Sequence, residues 1–209
     1  MDYLVSLGTT GETATLNAQE RKQVFEFTVK QVNNRIPLVA GVGGNNTQEV
    51  VQQLNEFNTD GFCALLSVSP YYSKPSQEGI YQHYQAIASA SKLPVILYNV
   101  PGRTGSNISA ATTVRLAKEH PNIIATKEAS GSFSQFNEIL RDKPAEFLLI
   151  SGDDPITLPM IALGASGIIS VVGNAYPGKV QSLAAHCLKG EFEQARPIHE
   201  SLLKLIDLC

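Results

Sequence analysis

Short apolar runs alternate with amphipathic segments along almost the whole chain. Runs at 3–7, 36–41, 62–67, 95–98, 123–127, 147–150 and 167–171 have the length and composition of buried strands. Between them, segments near 18–33, 47–57, 77–90, 109–118, 133–140, 155–163 and 177–188 repeat apolar residues at helical spacing. Val50, Leu54 and Phe57 fall on one helical face, as do Ile80, Tyr84 and Ile87. Start signals support several of these helices. Asn17 stands three residues before Glu20, and Asn46 three before Glu49, the spacing of a capping box. Asp154 followed by Pro155 fits an N-cap and a first helical position, whereas Pro159 is expected to kink its helix early.

Strict alternation of strand and helix, with strands apolar on both faces, predicts an α/β fold with a parallel sheet covered by helices. A doubly wound sheet and a (β/α)8 TIM barrel both fit the spacing. A dinucleotide-binding sheet should carry its glycine fingerprint after the first strand. Gly8-Thr9-Thr10-Gly11 is not that pattern, and Gly41-Val42-Gly43-Gly44 follows the second strand and leads to Asn46 instead of a third glycine. The barrel is the better reading. Seven strands are countable where closure takes eight, so the first β-α unit is expected to be absent from this chain. Residues 1–190 are then barrel strands two to eight, and 191–209 begin a C-terminal helical extension whose later helices are also missing.

Composition changes this picture little. With 209 residues, 43% hydrophobic and 17% charged, the chain is of globular character, and its net charge of −3 argues against nucleic acid or an anionic membrane as partner. No apolar stretch approaches the ~20 residues of a membrane span. Cys63, Cys187 and Cys209 are odd in number and widely spaced, which speaks against a disulfide framework and for a reduced, cytoplasmic setting. Cys63 reads as a small buried strand residue.

Candidate chemistry collects at strand ends. Lys127 closes the run Asn122-Ile123-Ile124-Ala125-Thr126, Tyr98 closes Pro94-Val95-Ile96-Leu97, and the first strand runs into Gly8-Thr9-Thr10-Gly11-Glu12. In a parallel sheet these ends meet. A lysine of ordinary pKa is neutral in only about one molecule in 2,500 at pH 7, but burial lowers that pKa and frees the amine to attack a ketone. Tyr98 can both donate and accept a proton beside it. The Thr9-Thr10-Gly11 turn offers N–H and hydroxyl groups to a carboxylate. Arg103, in a loop after Pro101-Gly102, can hold a second carboxylate bidentately. His83, His120, His186 and His199 are scattered without metal-ligand spacing, so neither a metal nor a cofactor is expected.

Three strings, Gly8-Thr9-Thr10-Gly11-Glu12, Tyr98-Asn99-Val100-Pro101-Gly102-Arg103-Thr104-Gly105 and Lys127-Glu128-Ala129, resemble in order and spacing those of the dihydrodipicolinate synthase / N-acetylneuraminate lyase family of class I aldolases. The resemblance extends to Ser151-Gly152-Asp153-Asp154 and Gly167-Ile168-Ile169-Ser170-Val171 and runs from Met1 to about Gly190. It implies that Lys127 forms a Schiff base with pyruvate, and that Tyr98, Thr9 and Tyr72, the last from a neighbouring subunit, relay protons. It further implies that Thr10 holds the pyruvate carboxylate, that Gly152 and the Ile169 backbone line the pocket, and that Arg103 orients L-aspartate 4-semialdehyde. The product would be 4-hydroxy-tetrahydrodipicolinate, on the route to diaminopimelate and lysine. A homo-oligomer, a dimer of dimers, is implied as well.

Two other functions fit part of the pattern: a pyruvate-dependent lyase of a sugar acid, and a catalytically inactive or ligand-binding relative. Arg103 favours the carboxylate-bearing aldehyde over a hydroxyl-rich one. The family's lysine-inhibition site maps to Thr13, Ala14, Ala18, Arg21, Asn45, Glu49 and Tyr71. Of these, Asn45, Glu49 and Tyr71 keep the pattern as a candidate regulatory site, while Ala18 and Arg21 stand where related sequences have histidines.

Overall fold

The computed structural model describes residues 1–208; Cys209 lies outside them. Six strands form one parallel sheet in sequential order: β1 (Leu4–Ser6), β2 (Leu38–Gly41), β3 (Ala64–Val68), β4 (Val95–Asn99), β5 (Ile123–Glu128) and β6 (Leu148–Ser151). The connections contain α1 (Ala18–Val32), α2 (Thr47–Glu56), α3 (Gln77–Ala90), the single turn α4 (Pro101–Thr104), α5 (Ala110–Glu119) and α6 (Phe133–Asp142). Beyond β6 come α7 (Thr157–Leu163), α8 (Pro177–Leu188) and α9 (Phe192–Ile206). The result is an α/β half-barrel.

The strands alternate between two apolar layers. Ala40, Leu65, Val95, Leu97, Ile123 and Leu149 face outward and pack under the helices with Tyr84, Ile87, Phe136 and Ile139. Val39, Ala64, Leu66, Ile96, Tyr98, Ala125 and Ile150 face inward. A cavity of ≈ 1060 Å³ runs along that inner face.

One irregularity decides which way the end of β5 faces. The β4–β5 register pairs Val95 with Ile123 but Ile96 with Ala125, so Ile124 is an extra residue, a β-bulge. A shift of one residue exchanges the two faces of a strand. Without the bulge Tyr98 would pair with Thr126; with it, Tyr98 pairs with Lys127 and both point into the cavity.

Several expectations need correction. The seventh strand, 167–171, is reduced to one bridge between Ile168 and Ser151. The following backbone N–H groups of Val171 and Val172 are taken by the Asp154 carboxylate instead of a ladder. Asp154 is therefore not a helix cap; it accepts from Ser170 and Val171, tying residues 170–172 to the turn after β6. Pro159 does not kink α7: that helix starts only at Thr157, after a separate 3-10 turn at Asp154–Ile156. Pro159 thus stands in the first turn, where its missing N–H has no intrahelical partner to lose. Asn17 and Glu20 form the full capping box of α1, whereas Glu49 bonds the Asn46 side chain and not its backbone. Cys63 is exposed just ahead of β3, its thiol donating to Leu38 O at 3.2 Å. Cys63 also lines the cavity on the inner face.

The half-barrel places β1 by a close backbone crossing. A Cβ on Gly41 would stand 2.1 Å from the Leu7 carbonyl oxygen. Gly41→Ala must push the Leu7–Gly8 segment away. We expect it to lower stability by about 1–3 kcal/mol, read as a fall in Tm or in the urea midpoint, and to shift the Thr9–Gly11 turn that follows.

Candidate active site

β4 and β5 carry the centre of the site. Tyr98 and Lys127 are register partners, and the Lys127 amine lies over the Tyr98 ring, 4.2 Å from its centroid. Lys127 is only 7% exposed although it is a lysine. Loss of water, first of all, pulls its pKa from 10.5 down to about 8; Arg103 pushes the same way, and Asp154 opposes. No salt bridge engages the amine among the described residues. Desolvation wins over Asp154 because the amine's own hydration is lost while that carboxylate is committed to residues 170–172.

Gly152 makes room for this lysine. A Cβ there would come within 2.9 Å of Lys127 Cγ and 3.0 Å of Cε. Gly152 follows β6, whose Ile150 is the next register partner of Lys127. Burial also raises the pKa of the Tyr98 phenol, and a hydrogen bond with the Thr9 side chain pulls it back. Thr9 and Thr10 sit in a 3-10 turn, Thr9–Gly11, immediately after β1. The N–H groups of Gly11 and Glu12 return to Gly8 O and Thr9 O; those of Thr9 and Thr10 have no acceptor among the described residues. Ile169 donates its N–H to Ser151 O at 2.9 Å, so its carbonyl is the group it can offer the cavity. Thr9, Thr10, Tyr98, Arg103, Lys127, Gly152 and Ile169 all line the same cavity, and no helix of the described residues is long and apolar enough to cross a membrane.

A family profile described as the Dihydrodipicolinate synthetase family matches residues 1–209. A 4-hydroxy-tetrahydrodipicolinate synthase of Parabacteroides distasonis is 55% identical over 207 residues, covering 99% of this chain and 70% of its own length. One from Phocaeicola vulgatus is 51% identical with the same coverage. Among solved structures, dihydrodipicolinate synthase from Aquifex aeolicus superposes with a TM-score of 0.95 at 42% identity, covering 99% of this chain and 71% of its own. The chain belongs to the dihydrodipicolinate synthetase family.

Within this family member, the remaining predicted residues lie outside the Lys127–Tyr98 centre. Arg103 is exposed in α4 at the mouth of the cavity. Tyr72 is 89% exposed, has a positive φ of 74°, and does not line the inner cavity; its N–H donates to Thr104 O at 3.2 Å. Asn45, Glu49 and Tyr71 line a second cavity of ≈ 1150 Å³, together with Thr13, Ala14, Ala18 and Arg21; it adjoins the first, with Thr9, Tyr98 and Arg103 in the lining of both. There Asn45 Nδ2 donates to Tyr71 O at 3.3 Å, and Arg21 is turned onto Leu16 O at 2.7 Å. Sequence reasoning missed Asp154 as a neighbouring charge and Glu128 and Asn99 as buried polar partners behind the site. Both strings that contain the last two were in view, but their second residues face away from the cavity, which only the register reveals.

The lysine pKa has a sign that can be checked. Because the folded value lies below the unfolded one, stability is greatest above about pH 10.5 and falls as pH drops towards 8, where the folded chain must also take the proton. A fall from 10.5 to about 8 corresponds to about 3 kcal/mol. Lys127→Met should therefore be more stable than the parent at pH 7, by up to that amount, with the difference shrinking between pH 8 and 10.5. Urea unfolding of both proteins at pH 7 and pH 10.5 measures it.

Proposed function

We propose that this chain is a Schiff-base-forming lyase that condenses pyruvate with L-aspartate 4-semialdehyde to give 4-hydroxy-tetrahydrodipicolinate, in the synthesis of diaminopimelate and lysine. The observation that carries the reading is a buried lysine amine, in no salt bridge among the described residues, over a tyrosine ring on the inner face of the sheet. A dihydrodipicolinate synthase from Acinetobacter baumannii, 40% identical with a TM-score of 0.94, has been solved complexed with pyruvate, which supports the first substrate.

Neutral Lys127 attacks C2 of pyruvate, and the carbinolamine loses water to give an imine. Proton transfers in this step need a group that donates and accepts; Tyr98 does so through Thr9, with Tyr72 of the partner subunit completing the relay. The exposure of Tyr72 on its own subunit supports that donation across an interface. Thr10 holds the pyruvate carboxylate, and Gly152 and the Ile169 carbonyl bound the pocket. Loss of a proton from the pyruvate methyl gives an enamine, whose carbon attacks the aldehyde held by Arg103. The substrate amine then displaces Lys127 and closes the ring. Oriented binding and amine activation are the protein's contributions.

The assembly that fits this scheme is a homo-oligomer, at least a dimer, in the cytoplasm. Asn45, Glu49 and Tyr71 form a candidate regulatory site for a free amino acid. Ala18 and the occupied Arg21 guanidinium make it a poor copy of a lysine-inhibition site. A sugar-acid lyase is the second reading, and Arg103 weighs against it.

Arg103→Ala separates the two half-reactions. We expect pyruvate still to be trapped on Lys127 by borohydride at a rate within about twofold of the parent. Use of aspartate semialdehyde should fall by a hundredfold or more, as loss of a charge-assisted carboxylate contact worth about 3 kcal/mol implies. Absence of any adduct on Lys127 in the parent would remove the proposal itself.

A further inference from the structure

Behind the lysine, on the helix-facing side of β5, lies a carboxylate that the mechanism does not use. Glu128 is fully buried and is the register partner of Asn99. Every group around it donates. Asn99 Nδ2 reaches both carboxylate oxygens at 3.0 Å, Gln135 Nε2 reaches Oε2 at 3.0 Å, and the Ser130 N–H reaches Oε1 at 2.8 Å.

The orientation of these amides is fixed from the far end. The backbone N–H of Ile108 donates to Asn99 Oδ1 at 2.9 Å, which turns Asn99 Nδ2 towards Glu128 and towards Asn107 Oδ1, 2.8 Å away. Asn107 must then present Nδ2 to Gln135 Oε1, at 2.8 Å, and so Gln135 presents Nε2 to Glu128. Two backbone N–H groups, on Ile108 and Ser130, cannot turn round. The relay therefore has one consistent direction, and it ends on a group that must accept at both oxygens. Only an unprotonated carboxylate does so; a glutamine would point one N–H at another.

The relay closes the segment 100–107 at both ends. Asn99 precedes it, Asn107 ends it and Ile108 follows, and Arg103 lies within it, while the Tyr72 N–H donates to Thr104 O. We infer that Glu128 is a positioning residue: its carboxylate locks the amide relay and so fixes the Arg103-bearing segment to the strand that carries Lys127. It sets where the carboxylate of the second substrate is held. The consequence for the second substrate rests on the function proposed above; the anchoring of the segment does not.

The test is a polarity swap. Glu128→Gln should raise the KM for aspartate semialdehyde about tenfold or more, with the KM for pyruvate and the borohydride trapping rate within about twofold of the parent. Amide hydrogen exchange at Ile108 should quicken by about tenfold. In the double variant Glu128→Gln/Gln135→Glu the carboxylate is moved one link along. The new amide on β5 donates to the new carboxylate on α6, which also accepts from Asn107, while Asn99 and Ser130 still meet an oxygen. That double variant should return the aldehyde KM and the exchange rate to within about threefold of the parent, a rescue that loosened packing would not give. If Glu128→Gln does not fold, Asn107→Asp, at the exposed end of the relay, is read by the same three measurements. An unchanged aldehyde KM and exchange rate in the single variant, or a double variant no better than the single, overturns the inference. A parent chain that traps no pyruvate sinks the proposed function instead, and the exchange rates still decide the anchor.

Discussion

An ammonium group deprived of water is the constraint around which this half-barrel is arranged. Lys127 keeps its amine on the inner face of a parallel sheet, flanked by Tyr98 on one side and Ile150 on the other. No salt bridge engages it among the described residues, so the cost of burying charge appears as a pKa of about 8 instead of 10.5. That cost is the activation: a neutral amine close to neutral pH is a nucleophile for a ketone. Gly152 belongs to the same arrangement, since any larger residue would displace the lysine stem.

The end of β5 divides its work between two faces. Lys127 points inward to the chemistry, and Glu128 points outward into a layer of donors that includes Asn99, Gln135 and Ser130. Burial raises the Glu128 pKa and the hydrogen bonds from these partners draw it back. Both arrangements depend on the bulge at Ile124, which sets the register of Lys127 with Tyr98 and of Glu128 with Asn99 in one step. The buried amine and the buried carboxylate behind it are thus placed by the same backbone irregularity.

The strands from β1 to β6 and most helices were legible because each is a short apolar run or a 3.6-period segment, some with a start signal, as Asn17 and Glu20 show for α1. The site was legible as three strand-end strings, and the structure brings Thr9, Thr10, Tyr98, Arg103, Lys127, Gly152 and Ile169 to one cavity. What could not be read is register and competition for hydrogen bonds. Residues 167–171 look like a strand, yet Asp154 captures the N–H groups a ladder would have used. The same carboxylate looked like a cap, because Asp-Pro signals a helix start whether or not a better donor lies nearby. Cys63 sits in an apolar run but ahead of the strand proper, beside a cavity that no run of residues announces. Tyr72, 89% exposed, stands apart from the centre, a position that no pattern along the chain announces.

The most direct measurement is the titration of Lys127 itself, followed by NMR of the chain with its lysine side chains labelled at Cε and the Lys127→Met variant used for assignment. A midpoint near pH 8 for that one resonance is what a dry amine on the inner face requires. A midpoint for Lys127 near 10.5, the ordinary value for a lysine, contradicts the account.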